Sequence, residues 1–269
     1  MGQQALVGGG LLTLLVMIVM MFLGVDPSML MQVAPELAAP PAPKQGAPAK
    51  PADDKMTQFV RTVLADNEDV WAALFPKLSG GRRYAPPKLV LFTGRVQSAC
   101  GLASAAAGPF YCPLDKKVYI DLAFYEELKR RFNAPGDFAQ AYVIAHEIGH
   151  HVQNLLGISE RVQRLRARMS EKEYNTYSVR MELQADFLAG VWASQVARYA
   201  GIVDEDDIRE AVNAAAQIGD DMIQRRSQGY VVPDAFTHGT SEQRVRWFLY
   251  GLKTGDPSLM NRAFEVDNP

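Results

Sequence analysis

The chain has 269 residues, with 28 Lys and Arg against 30 Asp and Glu and a formal net charge of -2. That balance, with no basic stripe anywhere along the sequence, excludes nucleic acid as a partner the charge would draw in. Two cysteines and four histidines are all that is available for thiol or imidazole chemistry.

Residues 1–4 form a short polar tail. Ala5 to Val25 is uncharged and dominated by Leu, Val, Met and Gly. As a helix it would span about 31 Å, one bilayer core, and it reads as a transmembrane anchor. A signal peptide is the rival reading, but the apolar run exceeds an ordinary signal core and no basic residue precedes it. Residues 26–52 are rich in Pro and Ala without periodicity and read as an extended tether. Residues 53–269 then make one domain of ordinary size.

Within that domain, Asp53 and Asp54 are candidate caps for a helix to about Leu64, and a second helical piece carries Val70, Trp71, Leu74 and Phe75. Lys88–Thr93 reads as a buried strand. Ser98 to Pro113 is Gly- and Ala-rich and reads as irregular, and Lys117–Asp121 reads as another strand. Phe124 to Phe132 is helical in pattern and stopped by Asn133-Ala134-Pro135-Gly136. Asp137 to Leu156 repeats its apolar residues at helical spacing, with Asp137 as N-cap and Gly157 as C-cap. Ser159 to Lys172 reads as a charged, solvent-facing helix. Tyr177 to Tyr199 is a long helix ended by Gly201, and Asp204 caps a further one through Ile223. Thr240-x-x-Gln243 has capping-box form and opens a last helix, Ser241 to Lys253. Strands first and helices after give an α+β fold class.

The central helix carries His146-Glu147-Ile148-Gly149-His150. Residues four apart lie one turn apart on one face, so His146 and His150 converge as a zinc pair. Glu147 sits about 100° round the helix, where a carboxylate can accept a proton from water at the metal. His151 points well away from that face and is not a ligand. Catalytic zinc takes three protein ligands and keeps one position open. Glu182 and Asp186 share one face of an otherwise apolar helix and need a positive partner. Glu182 is the candidate third ligand. Asp186, one turn on, is placed to accept a hydrogen bond from a ligand imidazole. The bland reading of both is a pair of acids on a solvated edge. Cys100 and Cys112 are spaced too widely for a C-x-x-C pair, and outside the cytoplasm they would form a disulfide; two buried thiols are the alternative.

Several stretches together resemble a family of bacterial neutral zinc metallopeptidases, within the gluzincin clan. They are SACGLASAAAGPFYCPLDKKVYIDLAFYEEL, AYVIAHEIGHHVQNLLG, RMELQADFLAGVWA and FTHGTSEQRVRWF. The resemblance implies a zincin-like domain with one Zn²⁺ on His146, His150 and Glu182, Glu147 as general base and Asp186 behind a ligand. By the same similarity Thr237-His238-Gly239…Arg244 looks like a Thr-His-Pro…Arg segment of membrane-associated gluzincins. His238 would then donate to the oxyanion, and Arg244 would assist or orient a carboxylate. Against this stand a loop histidine capping the next helix, and a structural salt bridge. Ala103 to Tyr111 would offer an edge to a peptide backbone, with Phe110 and Tyr111 as contacts; a plain loop is the alternative. The expectation is a zinc endopeptidase anchored in the bacterial inner membrane by its one span, its domain outside the cytoplasm and its partner a peptide or protein. A zinc hydrolase of a non-peptide envelope amide and a non-catalytic zinc-containing binding module are the competing functions.

Overall fold

The computed structural model describes residues 55–269, apart from 105–107, 122, 202 and 268. The anchor at 5–25, the tether and the caps at Asp53 and Asp54 lie outside these residues. Among the described residues no helix is long and apolar enough to cross a membrane.

The domain is α+β, with a small sheet and a mostly helical remainder. Helix α1 (Lys55–Leu78) leads to strands β1 (Lys88–Phe92), β2 (Arg95–Ser98), β3 (Gly101–Ser104), β4 (Phe110–Cys112) and β5 (Lys117–Asp121). Helices α2 (Phe124–Arg130), α3 (Asp137–Leu155), α4 (Ile158–Leu165), α5 (Glu171–Ala200), α6 (Glu205–Gln217), α7 (Asp220–Gln228), α8 (Ser241–Thr254) and α9 (Arg262–Glu265) follow. One sheet has the order β1-β5-β4, with β1 parallel and β4 antiparallel to β5. β2 and β3 form a separate antiparallel hairpin.

Helix α3 is the centre of the molecule. Every residue from Ala141 to Gly149 is buried, because α3 packs on α1, α5, α6 and β4 at once. Trp71 and Phe75 of α1, Tyr142 and Ile148 of α3, Leu183 and Phe187 of α5 and Phe248 of α8 fill the core. Helices α5 and α8 cross at a pair of glycines. A Cβ on Gly190 would meet the Phe248 carbonyl oxygen at 2.0 Å, and one on Gly251 would meet that of Phe187 at 2.0 Å. Backbone therefore lies on backbone at this crossing, and only glycine permits it. Gly149 plays a milder version of the same part between α3 and α5, where its Cβ would lie 3.0 Å from the Ala185 oxygen.

Local signals place the long helices. Ser170 with Glu173, Asp204 with Asp207 and Thr240 with Gln243 each form a complete capping box, satisfying two of the free N–H groups at a helix start. Gly201 ends α5 in the left-handed conformation (φ 64°).

Several boundaries differ from the sequence reading, and Asp137 is the first residue of α3 behind a Gly136 cap rather than the cap itself. The two pieces expected before Pro76 are one helix, since Asn67 turns inward and its side-chain amide donates to the Val63 carbonyl at 2.8 Å. The charged helix expected over Ser159–Lys172 breaks after Arg168, because Ser170 is a cap and Glu171–Lys172 start α5. The helix expected through Ile223 stops at Gln217, and α7 starts anew at Asp220. The stretch Ser98–Pro113, read as irregular, holds β3 and β4. Its small residues carry little strand propensity, and these strands exist through their pairing. The disulfide Cys100–Cys112 is formed and ties the hairpin to β4.

Candidate metal centre

α3 and α5 bring His146, His150 and Glu182 together, with one potential ligand atom from each inside 4.8 Å of the others. His146 Nε2 lies 3.1 Å from Glu182 Oε2, and His150 Nε2 lies 3.4 Å from Glu182 Oε1. Ligand atoms around a tetrahedral zinc with bonds near 2.0–2.1 Å are about 3.3 Å apart, so these separations suit the ion with small adjustments. Two imidazoles and one carboxylate are also a zinc-type donor set. A second cluster, Asp137, Asp207 and Glu210, is all carboxylate. There Glu210 accepts the Phe138 N–H at the start of α3, as a helix-capping acid does.

Each imidazole is held by its far nitrogen. His146 Nδ1 is 2.7 Å from Asp186 Oδ1, and His150 Nδ1 is 2.9 Å from Gln153 Oε1. Both Nε2 atoms therefore face the metal position. Asp186 is wholly buried and takes four donors. Beside His146 these are the Tyr142 hydroxyl at 2.6 Å and Arg244 through Nε and Nη2, both at 2.9 Å. Arg244 is itself buried, and its Nη1 donates to the Ile218 carbonyl. It forms the ion pair with Asp186 on the wall of the cleft.

Burial pushes these carboxyls up and these imidazoles down, but the charges facing them win. Arg244 and His146 bring Asp186 to about 2. His150 and His146 hold Glu182 well below the carboxylate range. Asp186 and Glu182 raise His146 to about 9, and Glu182 raises His150. The acids thus draw positive charge to this spot, as a divalent cation would require.

Glu147 lies beside the three ligand candidates. It is buried, and burial raises its pKa above the ordinary value, with His150 and His146 pulling it back. The cleft in front holds about 480 Å³ and is lined by Phe110 and Tyr111 of β4, by His146, Glu147 and His150, and by Glu182, His238 and Arg244. Phe110 stacks on Tyr119 with centroids 4.8 Å apart. The Tyr111 hydroxyl is engaged by His151 Nδ1 at 3.0 Å and by the Asn154 amide at 2.8 Å.

His238 reaches the cleft from the loop before α8, its side chain 47% exposed. Asp220 fixes it, with Oδ1 3.0 Å from His238 Nδ1 and Oδ2 accepting the backbone N–H groups of Thr237, His238 and Gly239. This leaves His238 Nε2 free. Burial lowers the His238 pKa, but Asp220 and Glu182 together raise it.

His151 faces away from the ligand candidates, as expected, and is buried. Its Nε2–H donates to the Ala85 carbonyl at 2.7 Å, and burial lowers its pKa to about 4.

Sequence reasoning missed Tyr142, Gln153 and Asp220. Gln153 stands three residues after His150, a spacing that puts a helix side chain beside it. Tyr142 stands four before His146, with the same geometry. Asp220 carried no readable signal, because it fell inside a helix drawn too long.

The sequence profile of the family described as "Putative neutral zinc metallopeptidase" matches residues 1–263. The chain is similar to the uncharacterized protein YpfJ of Escherichia coli K12, 47% identical over 94% of this chain and 86% of that protein. It is also similar to the uncharacterized protein Rv2575 of Mycobacterium tuberculosis H37Rv, 40% identical over 92% of this chain and 86% of that one. No solved structure matches. A matching profile over nearly the whole chain shows that the chain belongs to this zinc metallopeptidase family.

Proposed function

We propose that this protein is a zinc-dependent peptidase that hydrolyses peptide bonds in the cleft beneath β4. His146, His150 and Glu182 would hold the ion. Zinc in such a setting supplies Lewis acidity, which acidifies water and polarises a carbonyl. The observation that carries the reading is Glu147. It stands at the ligand cluster without belonging to it, in a cleft wide enough for substrate. A structural zinc site needs no carboxylate in that position, which argues against a non-catalytic binding module.

The protein's own groups then divide the work. Glu147 takes a proton from water and delivers it to the leaving amine. His238, whose Nδ1–H is taken by Asp220, donates in its protonated form from Nε2–H to the oxygen that becomes negative in the transition state. Asp186 holds His146 in the tautomer that frees Nε2, and Arg244 with Tyr142 holds Asp186.

An extended peptide fits the cleft better than a non-peptide amide. Among the described residues β4 pairs with β5 alone, so its other edge is open to a further strand. A peptide backbone can add to such an edge as a further strand, which gives affinity without strong side-chain selection. The reading keeps the N-terminal span at residues 5–25 as an inner-membrane anchor with the domain outside the cytoplasm. The formed Cys100–Cys112 bridge supports an oxidising compartment.

The test is a peptide-library and casein digestion by zinc-loaded wild type and Glu147→Gln. Wild type cleaves, and the variant retains zinc while losing about 10²–10⁴-fold in turnover. Near-wild-type turnover by Glu147→Gln contradicts the mechanism. Cleavage of cell-wall amides with none of peptides would reassign the substrate.

A further inference from the structure

His146 and His150 are oriented by different chemistry. A carboxylate stands behind His146. Behind His150 stand two neutral amides, Gln153 and Gln184, both fully buried. Gln153 Oε1 meets His150 Nδ1 at 2.9 Å. Gln153 Nε2 donates to the Met181 carbonyl at 2.7 Å and to Gln184 Oε1 at 3.0 Å. Gln184 Nε2 in turn donates to the Met260 carbonyl at 3.0 Å.

A side-chain amide can be turned end for end, but a backbone carbonyl only accepts. Met260 therefore fixes the NH₂ end of Gln184 and leaves the Gln184 oxygen facing Gln153. That oxygen and the Met181 carbonyl together use both N–H bonds of Gln153. The Gln153 oxygen is then left for His150, whose Nδ1 has one role available, that of donor. In the neutral ring that a metal binds, the lone pair is therefore on Nε2, on the side of Glu182.

We propose that Gln153 and Gln184 form a directional amide relay that sets the tautomer of His150 from two backbone carbonyls, Met181 and Met260. Gln153 is thereby a positioning residue for metal binding. The proposal rests on the reading of His150 as a zinc ligand. It explains why an amide stands at 153 rather than the acid that backs His146. A glutamate there would face two acceptors, Met181 O and Gln184 Oε1, with no proton to give. It also ties the ligand set to the C-terminal 3₁₀ turn Pro257–Asn261, in which Met260 is buried.

Two measurements test it. The first needs no variant. NMR of ¹⁵N-histidine-labelled wild type should show a slowly exchanging proton on His150 Nδ1 in the metal-free protein, and Nε2 without a proton once zinc is added. The second is zinc affinity by chelator competition for Gln153→Leu, Gln184→Leu and the double variant, with folding checked by circular dichroism. Gln153→Leu should lose about 10–100-fold in affinity. Gln184→Leu should lose less. The double variant should be no worse than Gln153→Leu, because Gln184 acts through Gln153 alone. Amides with only a packing role would lower the melting temperature additively and leave zinc affinity unchanged.

A proton on Nε2 with the metal on Nδ1, wild-type affinity in Gln153→Leu, or additive affinity losses would each overturn the relay. If Gln153→Leu does not fold, the wild-type resonance and the Gln184→Leu affinity decide. If the wild type binds no zinc, the metal reading fails. The metal-free Nδ1–H resonance still judges the relay, and its absence overturns it.

Discussion

Asp186→Asn separates metal orientation from fold stability in one position. The wild-type carboxylate is buried and takes four donors: the Tyr142 hydroxyl, His146 Nδ1–H and two N–H groups of Arg244. Asparagine keeps the shape but removes the charge and turns an NH₂ toward donors. Arg244, only 3% exposed, is left without its counter-ion. Breaking a buried ion pair on one side costs about 3–5 kcal/mol. At roughly 2–4 °C per kcal/mol for a domain of this size, the melting temperature of the metal-free protein should fall by about 6–20 °C. Zinc affinity should fall by about 10–100-fold as well, because His146 loses the acceptor that fixes its tautomer. The double variant Asp186→Asn/Arg244→Met distinguishes the two effects. Removing the orphaned guanidinium should restore part of the melting temperature and none of the zinc affinity. Calorimetry and chelator competition on the three proteins give both readouts. An unchanged melting temperature in Asp186→Asn, or zinc affinity recovered in the double variant, would refute the reasoning.

Two further outcomes follow from the packing and the charges. Gly190→Ala places a Cβ 2.0 Å from the Phe248 carbonyl oxygen, well inside contact distance, so α5 and α8 must separate. We expect a loss of at least about 1–3 kcal/mol in chemical denaturation and weaker zinc binding, since α5 carries Glu182; an unchanged midpoint would show that the helices do not cross backbone to backbone. His151 has a folded pKa of about 4 against 6.5 unfolded, so the unfolded chain binds more protons between these values. Stability should therefore fall as pH drops from about 6.5 to 4, by about 3 kcal/mol from this group. The slope should flatten in His151→Gln, and equal slopes for the two proteins would remove His151 from the account.

The cluster that could hold a metal, with Glu147 beside it, was legible because its parts are local. His146, Glu147 and His150 occupy one turn of one helix, and Glu182 and Asp186 one turn of another, so helix periodicity alone predicts which side chains share a face. That the two faces meet depends on Gly149 against the Ala185 backbone, and that α8 brings Arg244 to Asp186 depends on Gly190 and Gly251; their meaning appears only when a second backbone is set against them. Arg244 was left between substrate and salt-bridge roles, and its distances to Asp186 put it in the ion pair. Asp220 was hidden for the opposite reason. An acid after Gly219 looks like helix interior until the chain is seen to stop at Gln217 and restart. β4 was missed because Gly-Pro-Phe-Tyr-Cys has no alternation to read. Its strand conformation comes from pairing with β5 and from the bridge to Cys100.

The central claim is that one zinc ion is held by His146, His150 and Glu182, with Glu147 outside the ligand set. Metal analysis with chelator competition on wild type, Glu182→Gln and Glu147→Gln addresses it directly. One zinc per chain is expected in wild type and in Glu147→Gln at similar affinity, and a severe loss is expected in Glu182→Gln, which removes a ligand charge. Zinc retained by Glu182→Gln, or lost from Glu147→Gln, would contradict the assignment.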